Sequence, residues 1–149
     1  MRKQPGEHNF MSRVTFGSTE VMSLPSLSIS DIIAKVDTGA WSCALHCTDI
    51  YEENGVLYFM PLGLKELASS TDEFELRQVR SSNGQAEERY FITTDVVIRG
   101  NAYHTTIGLS DRSEMQREVL IGRKFLIENK VLVDVELTLG DDHEAEKYL

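Results

Sequence analysis

The chain is short of cysteine, proline and positive charge, and it has no long apolar run. Its 149 residues include two cysteines, three prolines and one tryptophan. The cysteines, Cys43 and Cys47, stand so close that a bridge would close a very small, geometrically demanding loop with little entropic gain, so both read as free thiols. A disulfide-stapled framework is thereby excluded. No apolar stretch approaches the roughly 20 residues that a membrane-spanning helix needs. The basic start, from Met1 to His8, is followed by no apolar segment of the kind a secretory signal carries, so a cytoplasmic location is expected. Fifteen Lys and Arg against 24 Asp and Glu leave a net charge of -9, the wrong sign for a nucleic-acid partner. A peptide or protein substrate is the expectation instead. Two motifs are also missing: no Gly-rich phosphate loop of the Gly-x-x-x-x-Gly-Lys-Ser/Thr type, and no His-Glu-x-x-His pair for a metallopeptidase.

What is present has a period of two. Tyr90, Ile92, Thr94, Val96 and Ile98 alternate along one face of a segment from Glu88 to Arg99, the pattern of a half-buried strand. Gly100-Asn101 reads as a tight turn into a second alternating segment, Tyr103, Thr105, Ile107 and Leu109, so a hairpin is predicted. Asn83-Gly84 is a second turn signal, flanked by polar residues suited to projecting into solvent. Short strands are predicted over Val14–Met22, Ile32–Val36, Val119–Ile121, Val131–Val133 and Val135–Leu139, with one or two helical turns within Arg123–Asn129. Tyr51–Phe74 shows no clear period. Length and pattern together predict one all-β, barrel-like domain over residues 13–140, a flexible N-terminus over 1–12 and a solvated acidic tail over 141–149.

The residues that suggest chemistry lie at Asp37-Thr38-Gly39-Ala40, immediately after the apolar end of a strand. A carboxylate there is presented at the edge of the domain. Gly39 permits close backbone approach, and the Thr38 hydroxyl can bond a neighbouring backbone group. An Asp in this context also serves as an ordinary turn residue, so the tripeptide alone does not decide. A second element, Val119-Leu120-Ile121-Gly122-Arg123, follows downstream with the Asn83-Gly84 hairpin between the two.

In these segments the chain resembles the retropepsin-like proteins known as RimK-associated or "ATP-dependent zinc" proteases. The likeness runs from about Val21 to Val135 through Ser23-Leu24-Pro25, Ala34 to Ala40, Ser42 to His46, Val79 to Gly84 with Glu87-Glu88-Arg89, and Val119 to Arg123 with Leu132-Val133-Asp134. It departs from the family pattern at Trp41, Cys43, Cys47 and Val135. The resemblance implies a homodimer-forming, single retropepsin-like acid-protease lobe with one short helix in its C-terminal half. It also implies that the apolar-apolar-Gly strand packs beside the Asp turn and that the polar hairpin is a flap.

An aspartic peptidase needs two neighbouring carboxylates sharing one proton. This chain has one Asp-Thr-Gly, so the second carboxylate is expected from Asp37 of another copy across a two-fold axis. Asp37, Thr38 and Gly39 are the catalytic candidates. Ala40, Arg80, Ser81, Ser82, Asn83, Gly84, Gly122 and Arg123 are the substrate-binding ones. Arg80, Arg89 and Arg123 are candidate readers of an acidic peptide, the alternative for each being a surface ion pair. Cys43, His46 and Cys47, with His104 distant, form an incomplete ligand set; the thiols read as small buried apolar groups and His46 as a residue that orders its segment, so neither metal nor cofactor is expected. Two other functions stay open: a retropepsin-shaped binding module for a protein glutamate ligase, and a zinc-dependent peptidase.

Overall fold

In the computed structural model, residues 13–80 and 84–137 are described. Eleven strands are joined by short turns: β1 (Thr15–Phe16), β2 (Thr19–Leu24), β3 (Ile29–Val36), β4 (Cys43–Glu53), β5 (Val56–Pro61), β6 (Ser69–Thr71), β7 (Glu75–Arg80), β8 (Ala86–Ile98), β9 (Asn101–Ser110), β10 (Val119–Ile121) and β11 (Leu132–Val133). One α-helix, α1 (Arg123–Glu128), follows β10. Strands β10, β3, β2, β8, β9 and β4 pair in that order, and β10 also pairs with β4, which closes a six-stranded barrel. Closure leaves no free edge in that ring. The described residues include no helix long and apolar enough to cross a membrane.

Alternation along the strands fills the barrel. Ile92, Val96 and Ile98 of β8 face Ile107 and Leu109 of β9 and Leu45 of β4, all buried. One end is plugged by aromatic rings: Phe16, fully buried on β1, stacks on Phe125 of α1 at 6.2 Å, and Tyr103 of β9 meets both edge-on, at 6.5 and 5.1 Å. Through this cluster the small β1–β11 pair and α1 are fastened to the barrel. The other long hairpins extend beyond the ring. β7 pairs with the first half of β8, and β5 and β6 continue from the outer half of β4.

The β8–β9 hairpin forms as predicted, one residue out of the expected turn register. Ile98 pairs with Asn101, so the central pair is Arg99-Gly100, and both adopt positive φ, at 53° and 76°. That is the twist-matched two-residue turn, which glycine tolerates freely and arginine does not. Arg99 gains a compensating bond: its Nη2 donates to Glu20 at 2.8 Å, and Glu20, only 2% exposed on β2, also accepts the Gly17 N–H at 2.8 Å. The same pair of hydrogen bonds breaks the predicted Val14–Met22 strand in two. Gly17 is required there, because a Cβ would lie 2.1 Å from the Leu137 carbonyl oxygen.

Two other expectations are corrected. Val135 and Glu136 form a turn, held by Leu137 N–H to Asp134 O at 3.0 Å and Glu136 N–H to the Asp134 carboxylate at 3.0 Å, so no strand runs over 135–137. Much of the undeciphered segment is a hairpin: Glu53 pairs with Val56 around Asn54-Gly55, with φ of 54° and 79°. That Asn-Gly signal is present in the sequence; it was obscured because β4 carries a polar outer half, Thr48 to Glu53, that breaks the alternation.

Because Phe16 ties three elements together, its replacement by alanine is expected to cost about 3–5 kcal/mol, a large buried side chain lost with partial collapse. Urea unfolding followed by circular dichroism measures this, and a loss below about 1 kcal/mol would show that the aromatic plug is not what fastens α1.

Candidate active site

Two apolar strands run side by side to the same point. β10 is parallel to β3 with Ala34 opposite Val119, Lys35 opposite Leu120 and Val36 opposite Ile121. Asp37 extends that ladder by one bond, its N–H donating to Ile121 O at 2.9 Å, and the chain then turns sharply with Ala40 N–H to Asp37 O at 3.2 Å. Within the turn the Gly39 N–H donates to Asp37 Oδ1 at 2.9 Å. A Cβ on residue 39 would press to 3.3 Å of that oxygen, so glycine leaves the carboxylate its position. Asp37 is half-buried, and Thr38 and Gly39 are exposed. The Thr38 hydroxyl has no hydrogen-bond partner among the described residues; its carbonyl is what the protein uses.

That carbonyl accepts from Arg123 Nη1 at 3.0 Å, and the Arg123 guanidinium lies 5.3 Å from the Trp41 ring centre. The first amides of α1 bind the same turn: Arg123 N–H to Ala40 O at 2.7 Å and Lys124 N–H to Trp41 O at 3.0 Å. The orphan donors of a helix start are thus satisfied by the turn itself. Gly122 makes this approach possible, since a Cβ there would lie 2.5 Å from Ser42 backbone atoms and 2.7 Å from Trp41 O. Asp37, Thr38, Gly39, Ala40, Gly122 and Arg123 are therefore brought together, although 82 residues separate Ala40 from Gly122 in the chain.

The remaining expected residues are placed differently. Arg80 is engaged within its own hairpin, donating to Gly84 O at 3.1 Å, where Gly84 has φ of 84°. Ser81, Ser82 and Asn83 lie outside the described residues. Arg89 pairs with Glu87 at 2.6 Å, and its stem lies over Gly108, where a Cβ would come 3.1 Å from Arg89 Cδ. A cavity of about 140 Å³ opens on this outer face of the barrel, lined among others by Ser42, Arg77, Phe91, Thr106 and Lys124.

Arg112 was not anticipated. It follows the end of β9 in a polar loop without periodicity, so no spacing rule marks it. Partial burial pulls its guanidinium below the usual value, the neighbouring positive charge of Arg89 adds to this, and the Asp37 carboxylate acts in the opposite sense. Its backbone N–H donates to Nδ1 of His46 at 2.8 Å. His46, buried on β4, thus holds this distant loop rather than ordering its own segment, the role expected for it.

The zinc that the resemblance implies does not fit these residues. Cys43, His46 and Cys47 lie on one extended strand, where side chains alternate and Cys43 and Cys47 stand roughly 13 Å apart at about 3.3 Å per residue. Cys43 Sγ accepts the Gly122 N–H at 3.5 Å, and the His46 Nδ1 lone pair is taken by Arg112. Burial raises both thiols, Cys47 to about 12, against the thiolate that zinc requires. His104 is bonded to Asp95 at 2.7 Å on β8. No group of three or more His, Cys, Asp or Glu among the described residues could hold a metal ion.

A closed barrel with an Asp-Thr-Gly turn bonded to the end of a parallel Ile-Gly strand defines the retropepsin class of acid-protease lobe. More narrowly, the chain belongs to the RimB-like family, described as "Retropepsin-like aspartic endopeptidase RimB", whose profile matches residues 15–143. Among its relatives are proteins named "Probable alpha-L-glutamate ligase" from Shewanella pealeana, 29% identical over 83% of this chain and 29% of that protein, and from Parasynechococcus marenigrum, 31% identical over 87% and 30%. The chain thus spans less than a third of the length of these relatives. A Legionella pneumophila protein of unknown function has the same fold, with a TM-score of 0.63 and 24% identity over 87% of this chain and 98% of that one.

Two outcomes are expected from this geometry. Gly122→Ala should destabilise the protein by about 1–3 kcal/mol, since rigid backbone must yield to the new methyl, and should shift the Gly39 amide resonance; an unchanged melt and spectrum would contradict the close packing. At pH 8 a thiol titrating near 12 is thiolate only about one part in ten thousand, so Cys47 should resist alkylation in the folded protein and react once urea unfolds it. Mass spectrometry of iodoacetamide-treated samples reads this directly.

Proposed function

We propose that this chain is one half of an aspartic endopeptidase whose site is completed when Asp37 of a second copy meets its own across a two-fold axis. The observation that carries the reading is the half-buried Asp37 carboxylate, held by Gly39 at one oxygen on an otherwise exposed turn. A single lobe offers a single such carboxylate. Two of them in proximity cannot both ionise readily, so they hold one proton between them.

In that arrangement the ionised partner removes a proton from a water whose oxygen attacks the scissile carbonyl carbon, while the protonated partner donates to the carbonyl oxygen. The tetrahedral diol then collapses. The C–N bond breaks, the departing nitrogen takes a proton from the dyad, and the carboxyl product forms. Thr38, Gly39 and Ala40 hold the carboxylate through the turn, and Arg123 and Gly122 hold the turn against α1. The flap role expected for Ser81, Ser82, Asn83 and Gly84, excluding water from a bound peptide, is kept for the connection between β7 and β8, of which 81–83 lie outside the described residues.

An acidic peptide is the substrate class this reading favours. Of the three arginines expected to contact it, Arg80 holds its own hairpin, Arg123 holds the Asp37 turn and Arg89 is paired with Glu87, so a cation near Arg89 and Asp37 that lacks such a partner is the better candidate. A second reading has support from the relatives: a domain found within longer proteins named glutamate ligases could act as a docking module for such a ligase without cutting anything. The zinc-dependent reading has no ligand set behind it.

Cleavage of an acidic peptide library by wild type and Asp37→Asn, each with and without chelator, separates these. Under the dyad mechanism the amide lowers the rate by about a thousandfold or more, chelation changes nothing, and active material sediments as a dimer. Equal hydrolysis by wild type and Asp37→Asn excludes the mechanism. Loss on chelation transfers it to a metal, and binding without cleavage in every arm supports the docking module.

A further inference from the structure

Of the arginines named so far, Arg77, Arg80, Arg89, Arg112 and Arg123 fall into two groups. Four have evident partners: Arg77 pairs with Glu75 at 2.6 Å and stacks on Phe91 at 4.7 Å, Arg80 holds Gly84, Arg89 pairs with Glu87, and Arg123 holds Thr38. Arg112 has no acidic partner within ion-pair distance among the described residues. Its Nε donates to Arg117 O at 3.2 Å, and neither terminal nitrogen forms a hydrogen bond to a described residue.

The placement of this side chain is nonetheless closely controlled. Its backbone N–H is held by His46, which is 6% exposed, and the His46 N–H in turn donates to Glu118 O at 2.7 Å, just before β10. The guanidinium is therefore fixed at its backbone and at Nε, with its outer fork left open. It is half-buried and lies within electrostatic reach of Arg89 and Asp37. Asp37 acts on this cation from beyond ion-pair distance and Arg89 opposes it, so a carboxylate bound at the fork itself would be favourable. Acid is plentiful in a chain with a net charge of -9, yet no carboxylate of the described residues is supplied to this one fork.

We propose that Arg112 is a specificity-determining residue that binds a carboxylate of the peptide lying across Asp37 through its open guanidinium fork, and that His46 is the positioning residue that holds it there. The fork matches a planar carboxylate with two parallel N–H donors, a geometry that lysine cannot reproduce. Arg89, with its stem over Gly108, reinforces the local positive field. This assignment rests on reading the Asp37 turn as the floor of a peptide site.

The test uses three peptides that differ only in carboxylates near the cleaved bond: one with glutamate side chains, one with glutamine in their place, and the glutamate peptide with its C-terminus amidated. Wild type should favour glutamate over glutamine by about tenfold to a hundredfold in KM, the scale of one charge-assisted bond. Arg112→Gln should equalise the KM values of the two peptides while the glutamine peptide is still turned over, and Arg112→Lys should retain only part of the preference. If amidation rather than the glutamine exchange raises KM, and Arg112→Gln removes that effect, the carboxylate read is the chain terminus. A carboxylate preference that survives Arg112→Gln, or is intact in Arg112→Lys, overturns the assignment, as does a wild type indifferent to both exchanges. His46→Gln should weaken the preference without abolishing turnover of the glutamine peptide; an unaltered preference removes His46 from the account. Fluorescence anisotropy with the same peptides gives an independent reading. If no peptide is cut but binding shows the preference and Arg112→Gln loses it, the assignment stands while the dyad mechanism falls.

Discussion

The contact between Gly122 and the backbone of Ser42 is the constraint on which the rest of the site depends. Hydrogen only, at that α-carbon, lets the end of β10 come against the strand-to-strand connection that carries Asp37. Once the two backbones are that close, the first amides of α1 find the Ala40 and Trp41 carbonyls, and the Arg123 guanidinium reaches Thr38. The carboxylate is thus held by backbone geometry more than by side-chain partners.

The barrel supplies the rigidity that this arrangement needs. Parallel pairing of β10 with β3 is possible because a long excursion through β4 to β9 separates them in sequence, and β4 closes the ring on the other side of β10. At one end the Phe16, Tyr103 and Phe125 cluster ties α1 to the core, so the helix that grips the Asp37 turn is itself anchored. The buried Glu20 carboxylate joins the Arg99 turn to the β1–β2 corner in a similar way. Each of these ties joins segments far apart in the chain.

Charge is distributed unevenly over this frame. The chain as a whole is acidic, but Arg77, Arg89 and Arg112 are set on or beside the outer face of β7, β8 and β9. Most of them are neutralised within the protein by neighbouring glutamates, leaving Arg112 as the cation with an open fork. On the proposed reading, a surface that repels acidic partners elsewhere and accepts a carboxylate at Arg112 would set the register of a bound peptide.

Alternation and turn chemistry, both local properties, were legible in the residues alone. Tyr90 to Ile98 declared a strand because one face had to be apolar, and Asp37-Thr38-Gly39 followed by Val119 to Arg123 declared a family and its turn. Where polar residues broke the alternation, as in the outer half of β4, the local signal failed and the Asn54-Gly55 hairpin went unread. The arginines show the sharper limit: residue type named them as cations, but only the folded chain decided that Arg80 and Arg123 brace turns, that Arg89 has Glu87, and that Arg112 is held by His46 and Arg117 with its outer fork open. The amino-acid sequence by itself determined the strands whose alternation is unbroken, the catalytic candidate and the free state of the two cysteines, since these follow from neighbours a few residues away. The tertiary structure alone decided the partners of His46, Cys43 and Arg112, because those contacts join residues 66 to 79 positions apart and depend on barrel closure, which no local pattern encodes.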